Sequence, residues 1–134
     1  MNSLPDVISD DEILARFILF SKWIRSDNTV KPDAFIPHPH IDLSVTRHIG
    51  LKENELWEIG KDVTILRQAK LYGRTDIQSL KIRKNGLDII PVPLPNNKNH
   101  ANITGWVKDK SQQKIIALQI AAQSIFTSKP VNIS

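Results

Sequence analysis

The chain has 134 residues, 40% of them hydrophobic and 24% charged, with no cysteine and a formal net charge of +4. This length suits one domain with a single core, and the composition lies far from the polar, highly charged range of disordered chains. The lack of cysteine excludes disulfides, thiolate zinc sites, iron–sulfur clusters and thiol nucleophiles.

Ser9 and Glu12 have the spacing of a helix capping box, and Asp10 and Asp11 suit a positive helix end. Ile13, Leu14, Phe17, Ile18, Phe20, Trp23 and Ile24 then recur every three or four residues. Together these predict a mostly buried helix over 9–26. Pro32, Pro37 and Pro39 make 27–39 an irregular connector, since proline cannot continue a helix. In 41–47, Ile41, Leu43 and Val45 alternate with Asp42, Ser44 and Thr46, the mark of a strand with one buried face; Gly50 closes it.

A second helix is predicted over 52–68, with Leu56, Ile59, Val63 and Leu66 on one face and Glu53, Glu55 and Glu58 in its first turns. Gly60 inside it costs up to about 1 kcal/mol relative to alanine, which points to a close backbone approach or a bend. In 69–86, Ile77, Leu80 and Ile82 fit a short helix capped by Thr75 and ended by Gly86, or a strand turning at Asn85-Gly86; the helix is preferred. Strands are predicted over 87–92, ended by Pro91, Pro93 and Pro95, and over 100–107, with Ile103 facing inward. Asp109 or Ser111 caps a last helix carrying Ile115, Leu118, Ala122 and Ile125 through Phe126. Residues 1–8 and 127–134 read as flexible tails of a single domain spanning 1–134. The expected fold is α+β, a small sheet of two to four strands packed against three or four helices in a single pair of layers.

Histidines are the obvious reagents. His38, His40 and Asp42 alternate, but Pro37 and Pro39 favour a polyproline conformation whose threefold period splays the rings, so no metal site is expected. His40-Ile41-Asp42-Leu43 and His100-Ala101-Asn102-Ile103 each open a predicted strand with a histidine. The pair resembles the two-histidine phosphoesterase family, in which two H-h-[ST]-h motifs bring one imidazole as base and one as acid to a phosphate. That resemblance implies His40 and His100 as catalytic residues, with Arg47 or Lys81 holding the anion. Asp42 and Asn102 stand where the family has hydroxyl residues. Ser44-Val45-Thr46-Arg47 resembles the first motif of ADP-ribosyltransferase folds, but no glutamate follows Glu58 to supply that family's catalytic carboxylate.

Residues 1–60 carry net −4 and residues 61–134 net +8. The basic C-terminal half, with Lys81, Arg83 and Lys84 at its centre, is a candidate surface for nucleic acid or an acidic partner. Residues 96–106 place His100, Asn102, Thr104 and Trp106 at alternating positions, and so on one face of an extended segment. The leading expectation is a non-catalytic protein-interaction module, an accessory or regulatory subunit that binds a protein partner through this segment and the basic half. A phosphoester-cleaving enzyme and a nucleic-acid-binding protein are the alternatives, and no cofactor is expected. With no signal-peptide pattern over 1–11 and no run near the roughly 20 apolar residues of a membrane span, a cytoplasmic protein without membrane contact is expected.

Overall fold

Ser9 and Glu12 make a turn rather than a helix start. The Glu12 amide donates to the Ser9 carbonyl (3.1 Å) and the Glu12 carboxylate accepts the Ser9 amide (3.2 Å), but the chain then runs straight into a strand. The structure is a computed structural model that describes residues 4–37 and 42–132. Its elements are β1 (Ile13–Ile18), β2 (Leu43–Arg47), α1 (Glu53–Arg67), β3 (Gly73–Gln78), α2 (Ser79–Arg83), β4 (Asp88–Pro91), β5 (His100–Thr104), α3 (Lys110–Gln123) and β6 (Ile125–Ser128). Two 3-10 turns, Ser21–Trp23 and Pro32–Phe35, lie in the long connection from β1 to β2.

The six strands form one sheet in the order β4-β5-β2-β1-β3-β6, with every neighbouring pair antiparallel. The expected sheet of two to four strands is therefore too small, and the expected first helix is β1, near the middle of the sheet. The physical reason lies in how β1 is buried. Leu14 and Ile18 face the main core while Ala15 and Phe17 face a second cluster. A strand buried on both sides reads as an unbroken apolar run, whose periodicity does not distinguish it from a buried helix.

Helices cover both faces, so the single pair of layers is also corrected. On one face α3 and the Pro32–Phe35 turn close the main core over Leu14, Ile18, Leu43, Val45, Ile77, Ala101 and Ile103. On the other, α1 sets Leu56 and Trp57 against Ala15, Phe17 and Leu71. Gly60 is where this helix comes closest to the sheet: a Cβ there would lie 2.6 Å from Phe17 Cε1, so only glycine fits without displacing the ring.

Residues 73–86 combine both readings of that stretch, a strand, then a short helix, then Gly86 at φ +81°. Thr75 is no cap; it lies buried in β3 and its hydroxyl donates to Ser124 Oγ (2.6 Å). The last helix stops at Gln123 rather than Phe126, and Thr127 and Ser128, expected in a tail, pair with Arg74 and Gly73 as part of β6. Near the other end, Ile8 is a core residue.

Candidate binding cleft

Helix α1 covers its face of the sheet only in part. The cluster beneath it draws on β1 and on Leu71, and among the described residues takes nothing from β2, β4 or β5. The register places Ser44 opposite Asn102, Thr46 opposite His100, and Ile90 opposite Asn102. Strand alternation puts all of these on the α1 side, because Val45, Ala101, Ile103 and Ile89 point into the main core. Half of this face is thus a polar strip: Ser44, His100, Asn102 and Thr104 are half-buried, and Ile90 is exposed at its edge.

A pocket of about 70 Å³ opens where that strip meets the C-terminal end of α1. Its apolar walls include Phe17, Leu19, Phe20, Trp23 and Val63, and its polar lining includes Arg16, Arg67, Ser44, Thr46, Asn97 and His100. The pocket exists because β1 and β2 part company: they pair only at Leu14–Arg47 and Ala15–Thr46. Arg16 fills the gap they leave. Its Nε donates to the Ala34 carbonyl (2.9 Å), its Nη1 donates to the Ser44 carbonyl (3.0 Å), and its guanidinium lies 6.0 Å from the Trp23 ring centroid.

Charge at this pocket is unbalanced. Among the described residues no carboxylate pairs with Arg16 or Arg67. Burial, helped by the like charge of Arg67, pulls the Arg16 pKa down to about 10, so the group remains a cation at neutral pH. Arg67 alone would be ordinary, since a cation in the last turn of a helix suits the helix dipole. Arg16 is the unusual one: a largely buried cation is normally paired, and here the nearest charge is the like charge of the exposed Arg67. His100 adds a further donor or acceptor: its Nδ1 contacts the Val92 carbonyl at 2.9 Å. A carbonyl accepts only, so Nδ1 carries the proton and Nε2 is left as the acceptor in the neutral ring.

No known protein family, curated protein or solved structure matches the chain. The site is therefore read from its own residues. His100, Asn102 and Thr104 share the open face, but Trp106 does not. Gly105 at φ +93° breaks the alternation after β5, and Trp106 turns into the core with Nε1 donating to the Ile103 carbonyl (3.2 Å). His40 lies outside the described residues.

The basic residues separate into internal and external sets. Arg47 is buried and its guanidinium is held by both oxygens of Glu12 (2.8 and 2.9 Å) and by the Pro5 carbonyl (3.0 Å), so its charge is already answered inside the fold, out of reach of an incoming anion. Arg83 is tied to Asp10, Asp88 and the Ile8 carbonyl. Lys84 is exposed just past α2, while Lys81 is half-buried and borders a different groove, of about 460 Å³, with His48, Asp76 and Gln78. There His48 Nε2 sits 2.9 Å from Asp76 Oδ1, and Asp76 also accepts from Arg74, which stacks 4.6 Å over Trp57. No hydroxyl nucleophile lines that groove, and no group of three or more metal-ligating side chains exists among the described residues. No helix among them is long and apolar enough to cross a membrane.

Sequence reasoning passed over Arg16 and Arg67. A single arginine inside the apolar run 13–20 is a signal that something is built around its charge, but a helix assignment points it towards solvent.

Proposed function

We propose that the protein is a non-catalytic interaction module that engages a protein partner on the open half of the α1 face. The observation that carries this reading is the cationic cleft at the border of that half-face: Arg16 and Arg67 line it and no carboxylate among the described residues answers them. An acidic group of a partner would supply the missing charge. Such complementarity steers association and fixes register. The rim offers apolar area as well. Phe20 and Ile90 are exposed, and Leu66, three residues on from Val63 and so on the same side of α1, is 69% exposed. Large apolar groups rimmed by polar ones are typical of contact surfaces.

The test is purification of the protein from its native host beside two variants that place a charge on opposite faces. Asn102→Arg alters the open strip, and Ile115→Glu alters the outer side of α3; circular dichroism melts confirm that both fold. A stoichiometric partner should accompany the wild type and Ile115→Glu and be lost from Asn102→Arg. A partner that stays with Asn102→Arg, or no partner at all, overturns the reading.

A further inference from the structure

We infer that the cleft between β1, β2 and α1 holds the C-terminal residue of the protein partner, with its carboxylate on Arg16 and Arg67 and its apolar side chain against Phe17 and Val63. This rests on the interaction-module reading and names the chemistry of its anchor. Three observations select this occupant. The first is charge: the described lining has two guanidiniums and no acid, and Arg16 already donates from Nε to the Ala34 carbonyl and from Nη1 to the Ser44 carbonyl. One N–H of Nη1 and both of Nη2 remain for an oxygen of an anion, and the exposed Arg67 supplies a second cation beside it.

The second is size. A pocket of about 70 Å³ has room for roughly five water-sized groups, enough for a carboxylate and a few carbons but too little for a nucleotide. The third is the lining. Phe17, Leu19 and Val63 give carbon walls beside the arginines, which an apolar side chain covers and an inorganic phosphate does not. A chain terminus differs from an aspartate or glutamate side chain in carrying its carboxylate and an apolar side chain on the same carbon, so it meets the arginines and the walls at once. The polar strip of Ser44, Asn102 and Thr104 then lies beside the pocket, where the preceding residues of the partner would run.

Trp23 lines the pocket while Trp57 and Trp106 are buried, so tryptophan fluorescence reports on its occupancy. The probes are an acetylated Gly-Ser pentapeptide extended by a C-terminal valine, the same peptide as its C-terminal amide, isovalerate, and inorganic phosphate. The expected result is that the free-acid peptide binds at least about 10-fold tighter than its amide, the factor a charge-assisted hydrogen bond gives. Arg67→Ala should remove a similar factor for the acid and leave the amide unchanged; this residue is exposed, so its loss does not threaten the fold. Equal binding of acid and amide, or binding of neither, overturns the inference. So does isovalerate binding as tightly as the peptide, which would make the ligand a free organic acid, and so does phosphate competing more strongly than the carboxylates. If the partner found by purification is lost from Asn102→Arg but still binds after its own terminus is amidated, the interaction module stands and the terminal anchor fails.

Discussion

Replacing Glu12 by glutamine tests how the turn before β1 is held to the sheet. Glu12 and Arg47 form a two-pronged pair, Nε to Oε1 at 2.8 Å and Nη2 to Oε2 at 2.9 Å, with side chains only 8% and 2% exposed. Desolvating two such charges consumes most of their attraction, so the pair adds little net stability. Breaking it is another matter, because Glu12→Gln keeps the shape but leaves the Arg47 cation buried without its counter-charge. The expected cost is about 3–5 kcal/mol, a large share of the roughly 5–15 kcal/mol that stabilises a typical domain. The double variant Glu12→Leu/Arg47→Met removes both charges. It still leaves the Ser9 amide and the Pro5 carbonyl without their side-chain partners, so it should lose only about 1–2 kcal/mol. Urea unfolding followed by circular dichroism reads both values, with the slope unchanged if the denatured state is the same. A loss below about 1 kcal/mol for Glu12→Gln, or a double variant as unstable as the single one, would refute the account of an internal, mutually dependent pair.

Three further outcomes are expected. Gly60→Ala gains up to about 1 kcal/mol of helix propensity but drives a methyl group into Phe17, an overpacking worth about 1–3 kcal/mol, so a net loss of up to about 2 kcal/mol should appear in urea and shrink when Phe17→Leu is added. Thr75→Val keeps the shape of β3 and deletes only the hydrogen bond to Ser124, whose hydroxyl still donates to the Ala121 carbonyl; thermal and urea unfolding should report about 1 kcal/mol lost. Asp88 accepts the Ile89 amide and an Arg83 bond, which hold its pKa below the usual carboxylate value. Its contribution is therefore present above the unfolded value of about 4 and fades as pH falls through the lowered folded value. Because Asp88 is exposed, the gap between wild type and Asp88→Asn should be no more than about 1 kcal/mol at pH 7 and should close in acid; a gap that widens in acid contradicts the assignment.

Much of the fold was legible wherever local pattern and tertiary environment agree. Helix α1 was readable from its spacing and its acidic first turn. The place of α3 was readable from its Asp109 cap, but not its face: Ile115, Leu118, Ala122 and Ile125, expected in the core, are exposed, and Ala117, Ile120 and Ala121 are buried instead. Strand β2 was readable because it alternates, with Leu43 and Val45 inward and Ser44 half-exposed. Gly60 marked a close approach or a bend, and the fold contains the close approach, to Phe17. The alternation of His100, Asn102 and Thr104 likewise showed which side chains of β5 share a face, and it failed only at Trp106, where Gly105 takes a conformation that strand periodicity does not anticipate.

The rest was decided by the sheet. Whether 13–18 is helix or strand depends on neighbours far along the chain, β2 and β3, which leave β1 apolar on both sides and erase the period that would identify it. Strand β6 exists because β3 offers it a free edge to pair with, something its own short and mostly exposed sequence does not announce. The candidate cleft has the same origin. Composition and sequence determined that the chain is rich enough in apolar residues to fold, free of thiol chemistry, and basic in its C-terminal half. Only the tertiary structure placed the basic Arg67 against the Arg16 of the acidic half, while drawing Arg47 and Arg83 into internal pairs, because charges meet across a fold according to strand register and helix placement, not according to their order in the chain.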